Sequence, residues 1–454
     1  MTLATPTDTE LETVLAQWLP TQRWFSAKNG AIARVRIAVR EPLLAADDLA
    51  ADHLIVVVEL DDGGATRYQV PLAYRAQVPE ALAPWALPPG TLPVACYDAL
   101  SDHDVVVRYL QALEQSQSIG ALRFRRSGSA HTVPTGRSRV IGAEQSNTSV
   151  VVGESLILKL FRHIQPGINP DLELHMALDA AGCDSVAHLR GWIELEAGSE
   201  SGTVAIAHQF VPNGVDGWDM AMTSVRDLVA EADLHASELG SDFAGESHRL
   251  GETVAHVHAD LARVLGSEPR EVAIDAMRSR LDDAVRTIPE IADQRRAAEA
   301  VFDLAAAAGP TAVQRIHGDL HLGQALRTPS RWVLIDFEGE PVKTIAQRRQ
   351  PDSPLRDIAG MLRSFDYAGR HPLADAAAGS QSQREFRATE WTARNSDAFC
   401  DGYAEVADED PRDQPALLQA YQLDKAIYEA VYEARHRPSW LPLPIRAITR
   451  LVTL

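Results

Sequence analysis

The segment that most restricts this chain is a short island, 316–337, that reads as strand and loop amid helices. It runs Ile316-His317-Gly318-Asp319-Leu320-His321-Leu322-Gly323-Gln324, and Leu334-Ile335-Asp336-Phe337-Glu338-Gly339-Glu340-Pro341 follows. Asp319 comes after a glycine and between two histidines, where backbone can approach a ligand closely. Gln324 lies five residues on. Asp336 ends an apolar strand and begins a polar turn. A carboxylate and an amide carbonyl are hard oxygen ligands of the kind Mg2+ takes beside phosphate oxygens and water. A second carboxylate, held separately, can accept the proton of an attacking hydroxyl. Asp319 as base, with Gln324 and Asp336 on the metal, is the division of labour found in kinases. His317 and His321 at i, i+4 could bind zinc on a helix. Gly318 and Gly323 oppose a helix there, and no third ligand is evident. The plainer alternative is a surface turn with incidental polar residues, which the whole run with Asp336 outweighs.

Periodicity organises the rest. A first helix is expected from a Thr9 and Glu12 capping pattern, with Leu11, Val14, Leu15 and Trp18 on one face. Strands at 54–60 and 66–72 flank a turn at 61–64. The proline-rich stretch 83–90 marks a boundary. Next come a helix at 101–113, strands at 138–142, 148–152 and 156–161, a helix at 171–180, and strand-like segments around Trp192 and 204–210. Helices are expected at 225–234, 246–265, 297–308, 355–367, 384–407 and 415–435. A β-rich half followed by a helical half with a polar β insert predicts a two-lobed α+β enzyme with a cleft between the lobes.

Composition removes several function classes. No run of about 18 apolar residues exists, so no membrane span is expected. Residues 1–10 lack the basic and apolar regions of a secretory signal. Cys96, Cys183 and Cys400 are odd in number and scattered, which fits a reducing cytoplasm rather than a disulfide framework. The formal net charge of −20 opposes nucleic-acid binding by a general basic surface. An anionic ligand must therefore be met by a local cluster of cations, metal or backbone N–H groups.

Lys159 stands in the apolar run Leu156-Ile157-Leu158-Lys159-Leu160-Phe161. A buried ammonium needs an anionic partner. Glu173 on the next expected helix is the candidate, with Asp171 nearby. A kinase uses such a lysine on the α- and β-phosphates, while a lysine snorkelling from a strand edge is the alternative. Neither GxGxxG nor GxxxxGK[ST] precedes it. In their place stands Glu144-Gln145-Ser146-Asn147-Thr148-Ser149, whose small polar residues could donate to phosphates and which alone reads as a hairpin turn. In the last long helix Asp424, Tyr428, Tyr432 and Arg435 recur at three- and four-residue spacing. That mixes carboxylate, aromatic and cation on one face, which suits a sugar, although a salt-bridged surface helix has the same pattern. His256 and His258 read as structural.

These segments together resemble the maltokinases, actinobacterial kinases that phosphorylate maltose at its anomeric hydroxyl. The resemblance runs through Gln22-Arg23-Trp24-Phe25, 144–150, Gly167-Ile168-Asn169-Pro170-Asp171, Asp242-Phe243-Ala244-Gly245-Glu246-Ser247, the 317–324 loop, 335–341, Pro351-Asp352-Ser353-Pro354-Leu355-Arg356-Asp357 and 437–442. The HGD loop itself is shared with the wider aminoglycoside-phosphotransferase-like kinases. The resemblance implies a bilobal protein-kinase-like fold. Its parts are an N-terminal α+β cap domain (1–90), an intermediate nucleotide-binding subdomain (91–211) and a mostly helical C-lobe with the catalytic loop and sugar site (212–454). It implies Asp319 as catalytic base and Gln324 and Asp336 as Mg2+ ligands. ATP would be held by Lys159 with Glu173 behind it, by Ser146, Asn147 and Thr148, and by a hinge at Gln209 and Val211. Maltose would meet His317, Asp424, Lys425, Tyr428, Glu429, Tyr432 and Arg435. The family feeds maltose 1-phosphate into α-glucan synthesis and is linked with trehalose synthase, which supplies maltose. Two alternatives stay open: a kinase for glucosamine or an aminoglycoside, and a non-catalytic nucleotide-binding partner of a glucan enzyme. The intact trio Asp319, Gln324 and Asp336 argues against the second.

Overall fold

A computed structural model describes residues 3, 5–26, 30–88, 92–128, 134, 136–142, 146–198, 201–231, 233–373 and 381–453. The chain forms two compact units, Met1–Glu173 with Ala187–Pro212, and Leu174–Val186 with Asn213–Leu454. Pro89 and Gly90 of the expected boundary, and Glu144 and Gln145 of the expected phosphate loop, lie outside the described residues.

The first unit opens with the helix Asp8–Trp18. Its capping box is Thr7 with Glu10 rather than Thr9 with Glu12. Glu12 instead accepts the Ile37 N–H of a neighbouring strand at 2.8 Å. Leu11, Val14, Leu15 and Trp18 are buried in a core shared with an antiparallel sheet. Its strands, Ile32–Ala45, Ala50–Leu60, Ala65–Arg75 and Ala95–Asp98, follow one another in chain order. The first strand has no counterpart in the sequence reading. Val35, Ile37 and Val39 alternate with Arg34, Arg36, Ala38 and Arg40, and Val35 and Leu43 are its buried positions.

A seven-stranded sheet follows, ordered Ser118–Ile119, Leu122–Arg126, Leu189–Leu195, Gly202–Gln209, Leu156–Leu160, Thr148–Val152 and Ser138–Val140. One apolar core joins this sheet to the first and to the helix His103–Glu114 through Ile55, Tyr97, Tyr109, Phe124, Leu158 and Val204.

The second unit is mostly helical: Gly217–Ala230, Ala244–Leu265, Ile274–Thr287, Arg295–Ala307, Leu355–Arg370, Gln381–Ala407, Pro415–His436 and Pro442–Leu451. Ala244–Leu265 and Gln381–Ala407 cross at glycines. A Cβ on Gly251 would lie 2.1 Å from the Phe399 carbonyl oxygen, and one on Gly402 would lie 2.0 Å from that of His248. The polar island is indeed strand and loop. Ala325–Arg327 pairs with Val215–Asp216 on one side and Trp332–Leu334 on the other in a small antiparallel sheet, and Trp332, Val333 and Leu334 are buried. No described helix is long and apolar enough to cross a membrane.

Candidate active site

The loop carrying Asp319 leaves the strand Thr311–Gln314 and ends in a single helical turn at Leu322–Gln324. Gly318 sits at φ +83°, a left-handed conformation that costs glycine little. Asp357, in the first turn of the helix Leu355–Arg370, holds the loop from behind. Its Oδ2 accepts the His317 N–H and its Oδ1 the Gly318 N–H, both at 2.8 Å. His258 Nε2 donates to Oδ2 at 3.1 Å, and His258 Nδ1 meets the Tyr403 hydroxyl at 3.0 Å. Burial raises the pKa of the Asp357 carboxyl, but His258, His317 and the Gly318 N–H outweigh it and hold the group below the ordinary aspartate value.

His317 corrects an expectation. Its Nε2–H donates to the Ile335 carbonyl at 2.9 Å, and its Nδ1 accepts the Asp319 N–H at 3.4 Å. Both ring nitrogens are engaged by backbone, so the side chain offers a sugar nothing. It ties the Asp319 loop to the strand that leads into Asp336, with its ring centroid 4.6 Å from that of Phe337.

Asp319 accepts from Lys425 Nζ at 2.6 Å through Oδ1. Its Oδ2 has no hydrogen-bond partner among the described residues. Across the loop, Gln324 Nε2 donates to Asp336 Oδ2 at 3.1 Å. The Ile335 N–H bonds the Gln324 carbonyl at 3.0 Å and fixes this approach. Asp336 has φ +65°, a conformation costing a non-glycine residue about 1–2 kcal/mol. Such strain persists where surrounding contacts dictate the backbone. Turning the Gln324 amide over presents its oxygen beside the carboxylate. Two hard oxygen donors converging on one point fit Mg2+.

Behind Lys425 lies an ion network. Glu340, 2% exposed, stands 3.0 Å from Lys343, 3.5 Å from Arg280 and 3.6 Å from Arg356. Burial pushes its pKa up, yet Lys343, Arg280 and Arg356 bring it down to about 2. Asp424 corrects a second expectation. It is fully buried, 3.1 Å from Arg280 and 3.2 Å from Arg356, so it supports the network and does not face a sugar. Glu429 likewise gives Oε2 to Arg363 at 2.6 Å. Tyr428 is half-buried beneath the Lys425 ammonium, 4.9 Å from its ring centroid. Tyr432 stacks on His436 at 4.4 Å. Arg435 is exposed and makes no ion pair among the described residues. Of the predicted sugar face, the structure brings Lys425 and Tyr428 to Asp319. Burial opposes the Lys425 ammonium, but Asp319 and Glu340 more than offset it, and its pKa lies above the ordinary lysine value. A cavity of about 240 Å3 lined by Ile316, Gly318, Gly339, Glu340, Lys343 and Arg356 adjoins the loop.

In the first unit, Lys159 sits on the strand Leu156–Leu160 with Leu158 and Leu160 buried on the other face. Its Nζ lies 3.5 Å from Oδ2 of Asp171, a carboxylate 1% exposed. The sequence weighed Asp171 only as the neighbour of Glu173, which stands on the same helix. Thr148 corrects a third expectation. It is 7% exposed, and its Oγ1 accepts from Arg162 Nε at 2.8 Å, so its hydroxyl serves the sheet. Ser146 is exposed and Asn147 half-buried. Gln209 ends its strand with its N–H on the His188 carbonyl at 2.8 Å, and Val211 lies two residues beyond.

The functional reading of the sequence passed over Asp357, Glu340, Arg280 and Arg356. The usable signal was acid within the apolar periodicity of a helix, as at Asp357, because a buried carboxylate must be holding something.

Residues 18–102 match the family described as the maltokinase N-terminal cap domain. The chain is 29% identical over 445 residues to a glucosamine kinase from Streptacidiphilus jiangxiensis, covering 92% of this chain and 93% of that one. It is 28% identical over 327 residues to a glucosamine kinase from Mycolicibacterium smegmatis, covering 69% and 79%. Among solved structures it is similar to a glucosamine kinase in complex with glucosamine, ADP and inorganic phosphate. That similarity has a TM-score of 0.70 and 23% identity, over 96% of this chain and 98% of the other. The fold is α+β and kinase-like, with an N-terminal cap domain.

Proposed function

We propose that this chain transfers the γ-phosphoryl group of ATP to the anomeric hydroxyl of maltose, giving maltose 1-phosphate. The observation that carries the reading is the Asp319 carboxylate. One oxygen is fixed by Lys425 and the other is open, a few residues from the converging Gln324 and Asp336. The cap-domain match supports maltose. The relatives named glucosamine kinase support an amino-sugar acceptor as the second reading.

In this mechanism Asp319 Oδ2 accepts the proton of the acceptor hydroxyl as that oxygen bonds to the γ-phosphorus and the bond to the β-phosphate oxygen breaks, releasing ADP. Lys425 fixes the carboxylate so that the open oxygen faces the acceptor. Asp357 and His317 hold the loop backbone in register. Gln324 and Asp336 would hold Mg2+, which neutralises phosphate charge when bound. Lys159, steadied by Asp171 and Glu173, positions the α- and β-phosphates. Trehalose synthase would supply the maltose, and α-glucan synthesis would use the product.

The test is Asp319→Asn. Turnover falls about 10²–10⁴-fold while nucleotide binding is retained. A near-normal kcat removes Asp319 from the role of base.

A further inference from the structure

We infer that Lys425 sets the acceptor preference: the chain places its own ammonium on the catalytic carboxylate, so the site takes an uncharged sugar and disfavours an amine-bearing one. The inference rests on the reading of Asp319 as the base of a sugar kinase.

The ion network gives the reason. Lys425 holds Asp319 Oδ1 at 2.6 Å. The other carboxylates linked to this surface are already matched by the chain's own cations. Glu340 meets Lys343, Arg280 and Arg356. Asp424 meets Arg280 and Arg356, and Asp352 meets Arg356. Glu429, one turn along from Lys425, belongs to Arg363. These pairs comprise four carboxylates and four cations around Asp319, and the separate pair of Glu429 with Arg363. Among the carboxylates of these pairs an acceptor ammonium would meet only the open Oδ2 of Asp319, and it would stand there beside Lys425, where like charges in a partly desolvated site repel. Displacing Lys425 would strand its ammonium among Arg280, Arg356 and Lys343. Asp319 and Glu340 keep the lysine protonated, so it does not clear the site by losing its charge near neutral pH. A neutral hydroxyl needs none of this, because it donates to the open Oδ2. Tyr428, with its ring 4.9 Å from the Lys425 ammonium, also draws that cation toward its own face rather than leaving the ring to a ligand cation.

The test is a comparison of kcat/KM for maltose and for glucosamine, with ATP and Mg2+, in the unaltered protein, Lys425→Met and Lys425→Arg. The unaltered protein favours maltose at pH 7. Its glucosamine turnover rises relative to maltose as the pH climbs through the range in which the amine loses its proton. Lys425→Met raises the glucosamine-to-maltose ratio about tenfold or more, whatever happens to absolute rates. Lys425→Arg keeps the original ratio. An unchanged ratio in Lys425→Met, with sugar turnover present, overturns the inference alone. Equal or better use of glucosamine by the unaltered protein at pH 7 also overturns it. Turnover of neither sugar overturns the sugar-kinase reading, and this inference falls with it.

Discussion

Asp357→Asn tests whether the Asp319 loop is held as described. The carboxylate accepts two backbone N–H groups at 2.8 Å and His258 Nε2 at 3.1 Å, in a site 1% exposed. An amide keeps one acceptor oxygen and turns an NH2 group toward donors. At least one charge-assisted bond is lost, worth about 1.5–3 kcal/mol, and one buried donor goes unsatisfied at about 1–3 kcal/mol. The combined loss of about 2.5–6 kcal/mol lowers Tm by about 5–24 °C for a unit of this size. The loop also loses its register, and a displacement of about 1 Å costs about 10²-fold in kcat. Thermal unfolding by circular dichroism and steady-state ADP release, on the same preparations, measure both effects. A Tm within about 2 °C of the parent together with a kcat within about twofold would refute the assignment of Asp357 as the loop's anchor.

Three further outcomes are expected. Glu340, drawn down to about 2 against an ordinary 4.5, contributes stability that is fully present above the ordinary value and is lost as the pH falls toward 2. That contribution is about 3 kcal/mol, so acid titration of Glu340→Gln shows a shallower loss of stability than the parent; equal slopes contradict the network. Asp336→Ala loses Mg2+-dependent nucleotide binding while metal-free nucleotide affinity stays near the parent's, as calorimetry with and without Mg2+ would show; unchanged Mg-ATP affinity counts against the ligand role. Gly251→Ala forces a Cβ onto the Phe399 carbonyl at 2.1 Å and destabilises the second unit by about 1–3 kcal/mol or more, measured by urea unfolding; a neutral substitution means the helices do not cross so closely.

The legible parts of the sequence were those where local chemistry and periodicity agree. The long helices of the second unit follow their apolar spacing, and the island at 316–337 stands out because glycines and paired polar residues interrupt that spacing. The strand Ile32–Ala45 was overlooked although Val35, Ile37 and Val39 alternate with Arg34, Arg36 and Arg40, because Glu41-Pro42 breaks the pattern and only Val35 and Leu43 are buried. The helix Ile274–Thr287 was missed although Ile274, Met277, Leu281 and Ala284 are its buried stripe, because its many charges dilute the signal. At the candidate site, motif chemistry names Asp319, Gln324 and Asp336 as candidates, and the structure brings Gln324 to Asp336. The duties of His317, Asp424 and Thr148 could not, since spacing shows which residues share a face and not which partner reaches them first. Asp424 looked like a ligand group at i, i+4 to Tyr428, yet two arginines from other helices close over it. Such long-range pairings set the site's electrostatics.

Phosphoryl transfer to the anomeric oxygen of maltose is checked by following ADP release and reducing ends together in one reaction of ATP, Mg2+ and maltose. One reducing end is lost for each ADP formed if the proposal holds, because the phosphate blocks the anomeric carbon. ADP formed with reducing ends intact, or formed only when an amino sugar replaces maltose, would contradict it.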